Sequence, residues 1–520
     1  MHLVKKLLIQ NKYSNVVDEF EDLFSSHPNY PSLFAITDSL NLLEIDNIAV
    51  KIPKEQFAEL PEIFLTLYKG EMVLLYKNKE GVTIEDEKGK KKKLTSQEFL
   101  PDWDLIIIAV EPNSGKQIQT IANYKWLSFV LPILLLIVFS GFLNGFSIYP
   151  LLLLNTSMLG LFLSVLIVQE KFDIKTELVS KFCNFSPESS CDSVIKSDKG
   201  TITSWLSFAD LPVLFFGINF FSLLIQPVQS VPIVTGLSLI AVPFLMYSVW
   251  VQKVKIKKWC FLCLVVATVI FIQGLFFPFI QKSGIAFDSL IGTLTYLFSV
   301  ILVFSGWMLL KPIVEKEIKA TKEVQELKRF KRNFKVFQSL TKEVNSEITL
   351  QKFKGIEFGK PNFSTNIILF LSPSCGHCHK AFQDAYELYK WNPESVYLNV
   401  LFNINPENEN NRFKTIVESL LIVNSFDSQK AQEALIDWHI HNLDIEVWKD
   451  KWQVATNDIL VNNEMQSQYN WCLSNEFNYT PIKIVNSKLF PNEYEISELK
   501  FFTNDFEEEF QSHYEKIIQN

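Results

Sequence analysis

Seven cysteines occur in the 520-residue chain, and six of them fall into three pairs. Cys183 and Cys191 lie in a polar stretch, Cys260 and Cys263 open an apolar run, and Cys375 and Cys378 follow a short run of apolar residues ending at Leu371. A thiolate attacks a disulfide and leaves a new one behind, so paired thiols placed in succession can pass two electrons along a chain. The pattern predicts a redox enzyme.

The three pairs call for different chemistry. In Cys375-Gly376-His377-Cys378 the first sulfur is expected at a helix N-terminus, where the helix dipole stabilises thiolate. Cys375 is then the attacking group and Cys378, one turn on, the resolving one. His377 adds positive character, which favours an oxidising pair. Downstream, Thr480-Pro481 precedes the apolar Ile482-Lys483-Ile484-Val485, as a cis-proline strand facing such a pair would. Half a zinc site is the competing reading of Cys-x-x-Cys, but no second thiol or histidine pair has suitable spacing, so no metal is expected.

Trp259-Cys260-Phe261-Leu262-Cys263 puts two thiols about one turn apart on one helix face, at the edge of an apolar segment where both soluble thiolates and lipid-soluble acceptors can reach. Two small packing residues are the alternative. Cys183 and Cys191 are flanked by Ser186, Pro187, Ser189 and Ser190, a context flexible enough for a shuttle, with a structural loop disulfide as the alternative. Cys472 has no obvious partner and reads as a packing residue.

The elements that must position these thiols follow from composition. With 45 Phe, 11 Trp and only 20% charged residues the chain has a membrane protein's profile, and its net charge of −8 with no basic face on a recognisable motif argues against nucleic acid. Residues 1–112 read as a soluble α/β unit with a helix near Val16–Phe24 and strands at 72–76, 82–86 and 105–110. Its first residues carry no secretory signal. Apolar runs follow at 126–143, 148–168, 206–225, 231–251, 260–280 and 288–311, each close to the twenty residues that cross about 30 Å of hydrocarbon. These six form an expected membrane domain over 124–312. From 313 to 348 a stripe of Val324, Leu327, Phe330, Phe334, Phe337, Leu340 and Val344 predicts an amphipathic linker helix, on the membrane surface or against the last domain. Residues 355–520 form a second soluble unit, with strands at 367–371 and 396–402 and a helical insertion over about 410–475.

The stretch from about 148 to 311 resembles bacterial homologues of vitamin K epoxide reductase, through Cys183, the run Cys191 to Ser197, Gly217 and Cys260-Phe261-Leu262-Cys263. The last domain resembles the thioredoxin-like partner often fused to them. The resemblance implies a four-helix bundle with extra helices around a quinone, ubiquinone or menaquinone. It also implies that reduced secreted proteins or peptides give electrons to Cys375, that Cys183 exchanges with the partner domain, that Cys191 pairs transiently with Cys260, and that Cys263 meets the quinone. Asp210 and Tyr247 are candidates to contact the ring. Where the family's vertebrate members carry a tyrosine four residues after the second helix cysteine, this chain has Ala267. The first hundred residues resemble the papain-like cysteine peptidase domain of peptide-exporting ABC transporters, in His27-Pro28-Asn29-Tyr30-Pro31-Ser32-Leu33, Asn47 to Lys51 and Trp103 to Pro112. No cysteine precedes Cys183 and no histidine occupies 72–76, so proteolysis is excluded on chemical grounds, while a groove for a peptide leader is compatible.

Lysines at 171, 175, 181, 253, 255, 257 and 258 cluster on the side that holds the cysteines, which by the positive-inside tendency is cytoplasmic. Lasting disulfides instead favour the periplasmic side of a bacterial inner membrane, and that placement is preferred here. The expected activity is a quinone-linked thiol oxidase that forms disulfides in exported proteins. A reductive conduit across the membrane and a non-catalytic peptide-export accessory are the alternatives.

Overall fold

A computed structural model describes residues 1–78, 81–87, 89–113, 148–172, 203, 205–256, 258–282, 290–344, 350, 352–361, 363–454 and 458–519. The expectations for Cys183, Cys191 and the 126–143 run lie outside these residues. The chain divides into two compact units, Met1–Asp22 with Leu43–Gln325, and Leu23–Leu42 with Glu326–Asn520.

The first unit opens with a six-stranded antiparallel sheet of β1 (Asn47–Lys51), β2 (Ile63–Tyr68), β3 (Glu71–Asn78), β4 (Gly81–Asp86), β5 (Lys91–Leu94) and β6 (Trp103–Val110), in the order β1-β6-β2-β3-β4-β5. The strands expected near 72–76, 82–86 and 105–110 are β3, β4 and β6. One face closes over Phe57, Phe64, Phe99 and Trp103, and the Trp103 indole N–H is satisfied by Thr66 Oγ1 at 2.7 Å. Helix His2–Gln10 packs on β2 and β3, where Lys6 meets the fully buried Glu85, which also accepts from the Tyr76 hydroxyl at 3.1 Å. A buried carboxylate is costly unless it has such partners.

Among the described residues of this unit, four helices are long and apolar enough to cross a membrane: Ile148–Lys171, Pro227–Lys255, Phe261–Ile280 and Leu290–Lys331. The run expected at 206–225 forms the shorter helix Leu211–Ile225, because 205–210 folds into a turn instead. At 1.5 Å per residue its 15 residues reach about 22 Å. Small residues let the helices approach closely: a Cβ on Gly160 would fall 2.3 Å from the Phe216 ring, and one on Gly274 would fall 3.2 Å from the Leu239 backbone. Some polar side chains in this setting are paired across helices. Gln273 donates to Thr156 Oγ1 at 2.9 Å and Ser157 Oγ at 3.0 Å, and the Tyr296 hydroxyl meets Asn219 at 3.1 Å.

Pro312 does not end the last of these helices, which runs 42 residues from Leu290 to Lys331. A proline removes one helical hydrogen bond, and the apolar turns before it supply enough length to carry the helix past the gap. The stripe predicted over 313–348 is therefore divided. Val324, Leu327 and Phe330 remain exposed on the long helix, while Phe334 and Phe337 belong to a separate helix, Phe334–Leu340.

In the second unit Phe337 is 2% exposed and stacks on Phe502 with ring centroids 4.7 Å apart. The sheet here contains β7 (Lys342–Glu343), β8 (Ile356–Phe358), β9 (Thr365–Leu371), β10 (Val396–Phe402), β11 (Ile482–Val485) and β12 (Lys488–Leu489), in the order β7-β12-β11-β9-β10-β8. The central β9 and β10 are parallel, and β11 is antiparallel to β9. Every residue of β10 is buried, the mark of a strand covered on both faces. Helix Gly376–Trp391 connects β9 to β10, and Lys414–Phe426, Ser428–His439, Ile445–Trp452 and Ile459–Ser474 form the helical insertion before β11. This arrangement resembles the expected thioredoxin-like unit. Residues 23–42 also pack here: Arg329 Nε donates to the Ser25 carbonyl at 2.6 Å, and Asn504 Nδ2 donates to Asp38 at 2.6 Å.

Candidate redox site

At the end of β9 the chain turns through Ser372-Pro373-Ser374, closed by the Cys375 amide donating to the Ser372 carbonyl at 3.0 Å. Cys375 then caps helix Gly376–Trp391, so its sulfur faces amides that have no partner within the helix. Cys375 is half-buried and Cys378 is buried, with the Ser372 amide 3.5 Å from the Cys378 sulfur. The Thr480–Pro481 peptide is cis, and the Cys375 thiol donates to the Thr480 carbonyl at 3.3 Å. The sequence-predicted group of Cys375, Cys378, Thr480 and Pro481 is thus assembled at one place.

The two thiols are pushed apart in acidity. Burial works against ionising Cys375, but hydrogen bonds from Thr480, from Cys378 and from the backbone of Cys378 and His377 outweigh it and hold the thiol below its ordinary value. Burial pushes Cys378 up to about 12. His377 is exposed, and what it contributes directly at Cys375 is a backbone amide.

Two supports of this turn had no sequence signal. The Trp438 indole donates to the Pro373 carbonyl at 3.2 Å, and the His439 ring lies 4.9 Å from that of His379, centroid to centroid. Both Trp438 and His439 end helix Ser428–His439 of the insertion, sixty-odd residues from the turn they brace.

In the first unit Cys260 caps helix Phe261–Leu275 and accepts the Cys263 amide at 3.3 Å. Its own amide donates to Gln252 Oε1 at 3.0 Å, from the end of the preceding helix. Cys260 has no exposed surface and lies in an apolar cluster with Leu163, Ile167, Ala209, Phe216 and Val266, while Cys263 is half-buried at its margin. The two Cys-x-x-Cys turns therefore share a backbone plan with inverted access. In one the first residue is half-buried and the second closed; in the other the first is closed and the second half-buried.

The remaining candidates are dispersed. Asp210 is buried and committed to lysines, with Lys311 Nζ at 2.7 Å and Lys171 Nζ at 3.7 Å. Tyr247 is 59% exposed and stacks on Trp250 with ring centroids 5.9 Å apart. Nothing joins either side chain to Cys263 among the described contacts. Cys472 is buried in a cluster with Phe370, Trp471 and Ile482, and burial pushes its thiol up to about 12. Among the described residues no group of three or more His, Cys, Asp or Glu side chains could hold a metal.

Residues 151–277 match the vitamin K epoxide reductase family. The match takes in helices Ile148–Lys171 to Phe261–Leu275 and the Cys260–Cys263 turn, and supports a redox, disulfide-related function. No curated protein matches the sequence. Among solved structures, similarity is found to BdbD from Bacillus subtilis in its oxidised form, at 11% identity and TM-score 0.25 over 33% of this chain and 98% of that one. A periplasmic thioredoxin-like protein from Salmonella enterica serovar Typhimurium matches at 13% identity and TM-score 0.26, over 32% of this chain and 98% of its own. The thiol-disulfide exchange protein alpha-DsbA2 from Wolbachia pipientis matches at 19% identity and TM-score 0.23, over 31% and 90%.

Proposed function

We propose that this chain is a quinone-linked thiol oxidase that forms disulfides in exported proteins or peptides on the outer side of the bacterial plasma membrane. The observation that carries the reading is the inverted access of the two Cys-x-x-Cys turns. Cys375, half-buried and with its thiol held below its ordinary value, would meet substrate; Cys263, half-buried at an apolar margin, would meet a lipid-soluble acceptor.

The exchanges balance as follows. A substrate thiolate attacks Cys375 in the oxidised Cys375–Cys378 pair, the bond between them breaks, and the electron pair leaves on Cys378. A proton follows, because a thiol held at about 12 does not stay ionised at neutral pH. The second substrate thiolate then attacks the substrate sulfur of the mixed disulfide, closing the substrate disulfide and releasing Cys375 as the thiolate that the helix amides favour. For reoxidation the Cys375 thiolate attacks Cys183 of an oxidised Cys183–Cys191 pair and Cys191 leaves; Cys378 then attacks Cys375, re-forming their disulfide and freeing Cys183. Cys191 attacks Cys260 of an oxidised Cys260–Cys263 pair, Cys263 leaves with the electron pair, and Cys183 closes on Cys191 to free Cys260.

The apolar wall of Leu166, Phe216 and Val266, with Phe215, Ala241 and Leu245 half-buried beside it, suits a flat, greasy ring next to Cys263. A bound quinone would supply an acceptor for two electrons and two protons. The low thiol acidity threshold at Cys375 disfavours the reductive conduit, since a stabilised thiolate makes its pair a better oxidant.

Trapping tests the reading. In Cys378→Ser charged with oxidised glutathione, a substrate thiolate displaces glutathione from Cys375 and Cys378 can no longer take the mixed disulfide back, so exported proteins with one available cysteine accumulate on Cys375 and are identified after non-reducing separation. Recovery of cytosolic proteins alone, or of none, contradicts the proposal.

A further inference from the structure

A buried ionic group ties three helices together beside Cys260. Asp210 has no exposed surface. Its Oδ2 meets Lys311 Nζ at 2.7 Å and accepts from the Ser207 amide at 2.7 Å and the Ser207 hydroxyl at 2.9 Å. Its Oδ1 lies 3.7 Å from Lys171 Nζ, which also donates to Ser207 Oγ at 2.9 Å. Lys311 Nζ further donates to the Trp205 carbonyl at 2.7 Å and lies 4.0 Å from Glu315.

Lys171 ends one helix, Asp210 begins another, and Lys311 comes from the long helix, beyond the 151–277 family match. All of these bonds converge on the turn 205–210. Ala209, inside that turn, belongs to the apolar cluster that encloses Cys260. A lysine that is 9% exposed within an apolar helix is costly unless paired, and removing its partner leaves an uncompensated charge. The group thus holds its geometry tightly.

We infer that Lys311 is a positioning residue for Cys260: through Asp210 it holds the 205–210 turn against the cluster and keeps the Cys260 thiol closed to water. The role deepens the reading of Cys260 as a relay thiol and rests on it, but its test reads thiol access and not turnover. A closed Cys260 would exchange only with a sulfur delivered to it, which protects the pair from stray soluble thiols.

The test uses the full chain in membranes, reduced with a phosphine, and follows iodoacetamide labelling of Cys260 and Cys375 by peptide mapping. In Lys311→Met, Cys260 labelling is expected to rise about tenfold with Cys375 unchanged, well beyond the rise in Gly292→Ala, which crowds the Gln229 backbone and lowers the thermal midpoint of the solubilised protein without touching the Asp210 group. Asp210→Asn should match it, the double variant should add little, and Lys311→Arg should keep Cys260 closed. Unchanged Cys260 labelling in both single variants overturns the inference. So does a rise no larger than that of Gly292→Ala at an equal loss of thermal midpoint, since Lys311 would then serve bundle stability alone.

Discussion

A single turn of helix separates two sulfurs that differ in acidity, and the cause is local: Cys375 caps the helix in partial contact with solvent, whereas Cys378 is enclosed. In the reduced protein, alkylation of Cys375 should rise with pH and level off below the usual cysteine range near 8.5, while Cys378 stays unreactive through pH 10. Because the folded-state value of Cys375 is depressed, its thiolate stabilises the reduced folded form above the unfolded thiol's pKa, and that stability is lost as pH falls through the folded value. The potential of the pair should accordingly depend less steeply on pH once Cys375 has ionised. Equilibration with glutathione buffers across pH 5–9 checks this; a constant slope would contradict the assignment. The Cys375–Cys378 pairing was legible in sequence because spacing and a preceding strand suffice for it. Lys311 was not, because its partner Asp210 lies about a hundred residues away and neither residue sits in a motif.

At the scale of elements, close packing in the bundle rests on specific absences of side chain. Gly160→Ala places a methyl group against the Phe216 ring, which lies in the same cluster as Cys260, and should destabilise the solubilised protein by about 1–3 kcal/mol in thermal unfolding. In the second unit, helix Thr503–Gln519 carries Asp505. Burial pushes this carboxyl up to about 6, Glu508, Asp38 and Glu509 push the same way, and His27 opposes. A carboxyl whose folded value is raised contributes its stability at low pH and loses it as pH rises through about 6. Asp505→Asn should therefore stabilise the protein by about 1–2 kcal/mol at pH 8 after solvent screening, and by little at pH 4. An equal gain at both would show that charge is not the cause. Strand β10 coincides with its sequence expectation because a fully buried strand is mostly apolar, here all of Val396–Phe402 but Asn399. The sequence separates the apolar run 288–311 from a linker beginning at 313 because the composition turns charged there, yet one helix runs from Leu290 to Lys331.

For the whole molecule, the proposed relay has a direction: electrons would enter at Cys375 and leave at Cys263. What composition and motifs could supply was the presence of a membrane part and two thiol turns; the assignment of residues 23–42 to the unit of the last domain arises from tertiary contacts such as Asn504 with Asp38, which no local pattern encodes. The most direct measurement is anaerobic turnover of the full chain in membranes with a reduced dithiol peptide and a water-soluble quinone, followed by quinone absorbance. The account predicts one peptide disulfide for each quinone reduced, and none in Cys263→Ser or Cys375→Ser. Quinone left unchanged by the wild-type chain, or still reduced by peptide in Cys263→Ser, would contradict it.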